Sequence, residues 1–123
     1  MFKEFNERKK DLLKIFDRKI KIALIEDVIK NGRRVGEEKK EFAICYSKVR
    51  ELYSTEFYSA MHEGLKDTLV FELRYFKKLE ELRSEENRKR VRIYFDNKEY
   101  KLYKIDFLND SREFVLLKAN RSN

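Results

Sequence analysis

The sequence contains no proline, three glycines, one cysteine and one histidine among its 123 residues. The glycines lack the spacing of phosphate-binding loops, so P-loop and dinucleotide-binding proteins are excluded. Cys45, the single cysteine, cannot form an internal disulfide. One cysteine and one histidine also cannot supply the about four ligands of a Cys/His zinc site. We therefore expect a fold without disulfide or metal, and a protein without a cofactor.

Long hydrophobic runs are absent as well. No stretch approaches the about 18 consecutive apolar residues of a membrane helix, and residues 1–5 lack the features of a signal peptide. We therefore expect a protein that acts inside the cell, with no membrane partner. Its 123 residues match the size of one domain. Ten Phe and seven Tyr within an apolar fraction of 41% favour a folded chain over a disordered one.

Charge is abundant, with 30 Lys and Arg against 23 Asp and Glu and a net charge of +7. Basic residues cluster at Arg33-Arg34 and at Arg88-Lys89-Arg90. Such runs interleaved with aromatic residues are typical of nucleic-acid-binding surfaces. Acidic residues alternate with the basic ones through the chain, however, which weakens the field of any single patch. A small basic nucleic-acid-binding β-barrel remains an alternative.

In the first half of the chain, the spacing of apolar residues changes at residue 19 from that of a helix to that of a strand. Residues 1–18 place apolar side chains at helical intervals and predict an amphipathic N-terminal helix, an extension of a domain over residues 19–123. Two stretches then alternate with the period of a strand and predict that one set of side chains faces inward: Ile20, Ile22, Leu24, Phe42, Ile44 and Tyr46. The connection between them, residues 31–38, holds an Asn-Gly pair and predicts a hairpin with a long charged tip.

A helix of about three turns is predicted to follow the second strand. Ser54 is a suitable N-cap, and Glu56 complements the positive end of the helix dipole. Gly64 is suited to end the helix in the left-handed conformation. Phe57 and Met61, four residues apart, are predicted to face the protein interior.

Strand patterns return at residues 69–75, 91–95, 100–107 and 114–117. Asp96 and Asn97 predict a turn, because both residue types tolerate positive φ. After Leu102 the apolar phase slips by one residue, which predicts a β-bulge. The almost wholly charged residues 77–90 predict an exposed loop or a short solvated helix. Together the patterns predict a mainly β (α+β) fold, an antiparallel barrel or sandwich of about six strands with one helix between strands 2 and 3.

No catalytic arrangement is evident. His62 lacks a nucleophile at a recognisable spacing, and we expect Cys45 to act as a small buried hydrophobic residue. The carboxylates stand beside Lys or Arg, which disfavours paired acid and base roles. A small basic ribonuclease would require a cluster of His, Arg and Tyr that the sequence does not display. We therefore expect a protein that is not an enzyme.

The order of elements from residue 42 to residue 117 resembles that of the bacteriophage head-closure family, also called head-tail joining or head-tail adaptor proteins. The resemblance rests on an aromatic strand, a helix, an apolar strand and a hairpin, and the residues that carry it are Ser54, Glu56, Phe57, Ala60, Gly64, Leu65, Phe71, Asn97 and Tyr100. Asn97 stands where the family has glycine. The N-terminal residues 1–18 extend beyond the usual start of the family.

The resemblance implies a β-barrel that assembles as a dodecameric ring in the neck of the virion. Such a ring lies beneath the portal or its adaptor, seals the DNA-filled head, lets genomic DNA pass and docks the tail, without catalysis. Assembly would take place in the host cytoplasm. We expect residues 30–40, with Arg33 and Arg34, or residues 77–90, with their basic run, to face the channel or the next ring. A tail terminator is a further alternative.

Overall fold

The computed structural model describes residues 16–122. Within this range lie β1 (Arg18–Lys30), β2 (Arg33–Arg50), α1 (Ser54–His62), β3 (Thr68–Arg74), a 3₁₀ helix (Lys77–Arg83), α2 (Glu85–Lys89), β4 (Val91–Phe95), β5 (Lys98–Asp106) and β6 (Phe114–Arg121). The predicted N-terminal helix falls outside the described residues up to residue 15. Its predicted end is wrong, because Phe16 and Asp17 are not helical and Arg18 already belongs to β1.

All neighbouring strands are antiparallel and follow the order β1-β2-β3-β6-β5-β4. Residues 21–24 of β1 also pair with residues 91–94 of β4, so the sheet closes on itself as a barrel. The mainly β class with six antiparallel strands in one sheet confirms the coarse fold prediction. Closure gives every strand one inward and one outward face, and the inward faces form the core.

Phe71 of β3 occupies the centre of this core and has no exposed surface. The rings of Phe95 and Tyr100 meet it edge-on, with centroids 5.7 Å from its own. Edge-to-face contacts of this kind add to the free energy of burial. The remaining buried members of the cluster come from every strand and from the 3₁₀ helix: Ile20, Ile22, Phe42, Leu73, Leu79, Leu82, Val91, Ile93, Leu102, Val115, Leu117 and Ala119.

Strands β1 and β2 pair far beyond the strands that flank them. Their pairing continues to Lys30 and Arg33, whereas β2 pairs with β3 only over residues 48–50 in the described part of the chain. Residues 25–41 therefore form a two-stranded ribbon, hereafter the ribbon, that extends past the barrel. Its turn is Asn31-Gly32, with φ of 52° and 77°. The Asn-Gly turn is confirmed, but the predicted long loop over residues 31–38 is wrong.

A β-bulge at Phe42 changes which side chains of β2 face inward. The pairing of β1 with β2 skips Phe42, which is itself buried. Beyond the bulge Ala43 and Cys45 pack against the core, while Ile44 and Tyr46 are 52% and 59% exposed. The prediction that Ile44 and Tyr46 face inward is therefore wrong, because a shift of one residue reverses the two faces of a strand. The bulge predicted after Leu102 in β5 is confirmed.

The charged residues 77–90 contribute to the core, contrary to the prediction of a solvent-exposed connection. Leu79 and Leu82 of the 3₁₀ helix are fully buried. Residues three apart lie on the same face of a 3₁₀ helix, so both leucines point inward while their charged neighbours point out. Lys78 fastens the helix to the bulge, since its Nζ donates to the carbonyl oxygen of Phe42 at 2.7 Å. The 3₁₀ helix therefore packs as part of the barrel.

Replacement of Leu82 by alanine tests this role. We expect Leu82→Ala to lower the free energy of unfolding by about 2–5 kcal/mol, the usual cost of truncating a buried leucine. The exposed neighbour provides the control: Glu81→Ala should change the free energy of unfolding by less than about 0.5 kcal/mol. Urea denaturation of both variants measures the difference. Equal stabilities would show that the 3₁₀ helix lies outside the cooperative core.

Candidate functional site

Helix α1 is attached to the barrel by a cluster of three charged side chains. Glu56 accepts a hydrogen bond from Nη1 of Arg50 at 2.8 Å, and its other oxygen lies 2.7 Å from Nζ of Lys118. Arg50 ends β2 and Lys118 lies in β6. All three side chains are only 11–16% exposed. The helix is therefore held against two strands at once.

The same carboxylate organises the start of the helix. The backbone N–H of Tyr53 donates to Glu56 at 3.0 Å. Burial opposes the ionisation of Glu56, but the hydrogen bonds from Arg50, Lys118 and Tyr53 outweigh it and lower the pKa of Glu56 to about 2. The cluster is thus an ionised carboxylate between two cations at neutral pH.

The ends of α1 partly match the predictions. The N-cap is Tyr53, so the prediction for Ser54 is wrong by one position; Ser54 is the first helical residue and is exposed. Gly64 has φ of +76° and closes the helix as predicted. Its N–H donates to the carbonyl of Met61, and the N–H of Leu65 donates to that of Ala60, both at 2.9 Å. This is the Schellman arrangement that requires a left-handed residue.

The apolar side chains of α1 face outward. Ala60 is its one buried residue, whereas Phe57 and Met61 are 50% and 58% exposed, so the prediction that they face inward is wrong. Glu56 and Ala60, four residues apart, occupy the inward side of α1. Phe57 and Met61 each follow one of them, and a step of one residue along a helix is a rotation of about 100°, so both point away from that side. Together with the exposed rings of Tyr53 and Tyr58, Phe57 and Met61 form what we term the α1 aromatic face.

Other residues of the family resemblance have structural roles. Phe71 and Tyr100 contact each other in the core. Asn97, with φ of 59°, forms the two-residue turn between β4 and β5, as predicted. Phe57 and Tyr100 also line one open cleft of about 380 Å³ at the end of the barrel. The structure thus brings α1 to the strand that follows the Asn97 turn.

The ribbon carries carboxylates that face each other across its strands. Asp27 lies opposite Glu37 in the pairing of β1 with β2. Like charges at such positions are destabilising, and Arg34 compensates by binding Asp27 at 2.8 Å and Glu37 at 2.6 Å. A hydrogen bond from Arg34, followed by the positive charges of Arg34 and Arg90, keeps the pKa of Asp27 below its usual value. Arg34 is therefore a structural residue of the ribbon.

Arg33 differs from its neighbour. No carboxylate within residues 16–122 forms an ion pair with Arg33, which is exposed beside the ribbon turn. The other basic run lies at the base of the ribbon, where the N–H of Ile25 donates to the carbonyl of Arg90 at 2.9 Å. Lys89 is exposed on α2 and Arg88 is half-buried. The two candidate segments therefore meet at the base of the ribbon, whereas Arg33 lies at its tip.

The residues considered for catalysis lack a reactive setting. Burial raises the pKa of the Cys45 thiol to about 11, so the thiol is protonated at neutral pH and is a weak nucleophile. His62 is exposed at the end of α1. No group of three His, Cys, Asp or Glu within residues 16–122 could hold a metal ion. No helix in the described range has the length and apolar character needed to cross a membrane.

The family model of the phage head completion protein matches residues 15–122. The chain belongs to this family. The resemblance to head-closure proteins in the sequence is thereby confirmed, and the role of this head completion protein is structural, in closure of the phage head. The match begins within one residue of the described structure and covers the entire barrel, including the ribbon and α1.

The fold recurs in a solved structure. The head completion protein is similar to the solution structure of protein SF1141 from Shigella flexneri 2a, with a TM-score of 0.64 and 14% sequence identity. The similarity covers 87% of this chain and 93% of that one. At this identity the comparison shows a shared fold. Among curated proteins, no relative matches the sequence.

The sequence indicated a role for Glu56 at the start of the helix but not its contacts with Arg50 and Lys118. Lys118 stands in an otherwise apolar strand, between Leu117 and Ala119, both of which are fully buried. A lysine in such a pattern indicates a buried cation that needs a carboxylate, because an unpaired buried charge is costly. That signal could have linked β6 to the helix before the structure was known.

Substitution of Glu56 tests the attachment of α1. We expect Glu56→Gln to lower the free energy of unfolding at pH 7 by about 2 kcal/mol, because hydrogen bonds to a charged group are lost. A carboxyl group whose pKa is lowered on folding stabilises the fold above its unfolded pKa, and this contribution disappears as the pH falls toward about 2. The difference between parent and variant should therefore shrink from pH 5 to pH 2. Urea denaturation across this range measures it, and a difference independent of pH would contradict the assignment.

Proposed function

We propose that this head completion protein assembles as a dodecameric ring beneath the portal or its adaptor in the neck of the virion. The ring seals the DNA-filled head, and its far side docks the tail. The family match supports head closure, and the structure offers surfaces suited to assembly rather than catalysis. Assembly takes place in the host cytoplasm, and the partners are portal, tail and genomic DNA.

The ribbon is the observation that carries the proposal. Six residues of β1, from position 25 to position 30, extend roughly 20 Å at the usual rise of a strand. Lys30 and Arg33 place positive charge at the tip, whereas Arg34 is paired with Asp27 and Glu37. Positive side chains bind the phosphate backbone of DNA irrespective of its sequence. The ribbons of a ring thus reach into the channel, contact the DNA and control its exit.

Reversal of the charges at the tip tests the place of the ribbon. We expect Arg33→Glu/Arg34→Glu to reduce the fraction of heads that retain DNA, because carboxylates repel phosphate. Arg33→Glu alone separates this effect from the ion pairs of Arg34, and Lys101→Glu on the exposed side of β5 is the matched control. Electron microscopy of particles counts filled heads. Unchanged DNA retention and tail attachment in the double variant would remove the ribbon from the channel.

Assembly is expected to depend on the partner ring. The purified head completion protein should be a monomer of 15.1 kDa by light scattering and should form rings only when portal complexes are added. A ring interface between small subunits gains from a template that fixes their orientation and raises their local concentration. Stable rings of the protein alone would contradict this expectation.

Basic residues at both ends of the ribbon, Arg33 at the tip and Arg88-Lys89-Arg90 at the base, also favour a second candidate function, a small nucleic-acid-binding barrel. Binding of the monomer to DNA, measured from low to physiological salt, separates the two. A nucleic-acid-binding protein would show strong binding with log affinity falling steeply against log salt. Weak binding by the monomer is expected for the ring component, which contacts DNA only as an assembly.

A tail terminator is the remaining alternative within the neck. Particles blocked before tail attachment distinguish it from a head-closure ring. The head completion protein should be present on tail-less, DNA-filled heads and absent from free tails. The reverse distribution would assign it to the tail.

A further inference from the structure

Within residues 16–122, two clusters of exposed apolar side chains lie on the outer surface of the barrel. One is the α1 aromatic face. The other, here termed the β2 patch, consists of Ile44 and Tyr46 on the outer side of β2. Tyr46 also borders an open groove of about 230 Å³ between β2 and β3, whose other lining residues are Phe16, Cys45, Leu73, Arg74, Tyr75 and Phe76. Exposed apolar surface of this kind marks an interaction site.

The two surfaces occupy different positions on the barrel. Helix α1 contacts β6 through Lys118 and the last residue of β2 through Arg50. It also borders a second cleft with Tyr103 and Lys104 of β5, whereas Ile44 and Tyr46 lie farther back along β2. In the closed order of strands, β5 is three strands from β2 in either direction. A ring in which every copy contacts two neighbours requires two different surfaces that face apart, because a head-to-tail interface joins unlike patches.

The surfaces also differ in charge. Residues 51–65, which include α1, contain three Glu and no Lys or Arg, although the chain holds 30 basic residues. Glu56 is neutralised by Arg50 and Lys118. Outside this segment the cleft beneath Phe57 adds one acidic side chain, Asp67, and two basic ones, Lys98 and Arg121. The negative charge of the helical segment therefore comes from its two ends. Glu51 and Glu63 at its ends are exposed. The α1 aromatic face is thus bordered by acidic side chains.

The β2 patch is bordered by lysines. Lys19 pairs with Tyr46 and Lys21 with Ile44, so both lysines lie beside the patch on the outer face. Lys48 follows on the same strand and is exposed. Glu72 opposite Lys48, and Glu41 at 3.9 Å from Nζ of Lys21, offset two of the three positive charges and leave Lys19. An apolar patch with a basic border therefore matches an apolar face with an acidic border. Such complementarity fixes orientation and register at an interface.

The N-terminal residues offer another occupant for the groove, since Phe16 lines it. Residues 1–15 contain five Lys or Arg and three Asp or Glu. A segment with a basic excess is disfavoured beside Lys19, Lys21 and Lys48, whereas residues 51–65 are favoured there. Charge therefore selects helix α1 of a second copy over the segment that precedes Phe16.

We propose that the α1 aromatic face of one copy packs against the β2 patch of the next copy and forms the head-to-tail interface of the ring. Phe57, Tyr58 and Met61 enter the space beside Tyr46, and the acidic ends of the helical segment meet the lysines of β1 and β2. The inference rests on the proposed ring and adds the surfaces that close it.

Cysteine cross-linking in assembled particles tests this interface. In a Cys45→Ala background, Tyr46→Cys and Met61→Cys are combined in one chain, and purified particles are treated with a short bismaleimide. A head-to-tail interface should give a ladder of dimers, trimers and larger species on a denaturing gel, since each copy is joined to two neighbours. Each single cysteine should leave the chain monomeric. The matched control combines Tyr46→Cys with the exposed Ser111→Cys and should give no ladder.

Several results would overturn the interface. Dimers from Met61→Cys alone would show that two α1 faces are joined. Attachment of Met61→Cys to a portal or tail protein, reaction of Tyr46→Cys with residues 1–15, or the absence of a ladder in particles that contain the protein would also contradict it.

If the double variant fails to assemble, an exchange of charges across the interface provides the test. Lys19→Glu and Glu63→Lys should each lower the amount of protein per particle, and their combination should restore it. Failure to restore it would reject the proposed contact.

Failure of the proposed sealing function has a separate signature. Particles that lack the head completion protein altogether would then retain their DNA as well as the parent. If DNA is lost without the protein but no ladder forms, head closure stands and the assigned interface is wrong.

Discussion

The barrel depends on one short stretch of β1 that is hydrogen-bonded along both edges. Residues 21–24 pair with β2 on one side and with β4 on the other, and this second pairing closes the sheet. Closure defines the inside of the barrel, where Ile22 and Ile93 face each other in the core. It also lies next to the bulge at Phe42, so the same few residues decide which side chains of β2 are left outside. Core, ribbon and exposed patch all follow from this register.

Features governed by local physics could be predicted from the sequence. Gly64, Asn31-Gly32 and Asp96-Asn97 occupy positions where the backbone needs positive φ, and residue type alone indicates such positions. The β-bulge after Leu102 could be predicted because apolar residues alternate in the sequence on both sides of it. At Phe42 the apolar pattern continues unbroken through Ile44 and Tyr46, so nothing local signals the change of face. That bulge is set by the register in which β2 pairs with β1.

Burial depends on what packs over each element, and here local patterns were insufficient. Leu79 and Leu82 are two leucines in a charged segment and become core residues because the 3₁₀ helix covers the end of the barrel. Phe57 and Met61 have helical spacing, yet the cluster of Glu56 with Arg50 and Lys118 turns the other face of α1 inward. A polar anchor thus overrides the apolar stripe, leaving the aromatic side chains available to a partner.

The unequal support of the ribbon has a mechanical consequence. Its strands hold each other, and among residues 16–122 their contacts with the barrel lie near the base, through the carbonyl of Arg90 and through Lys39, which contacts Glu99 and the ring of Tyr94. An isolated pair of strands is marginally stable, and its opposed carboxylates depend on exposed ion pairs that salt screens. We therefore expect the ribbon to have a lower local stability than the barrel and to respond more strongly to ionic strength.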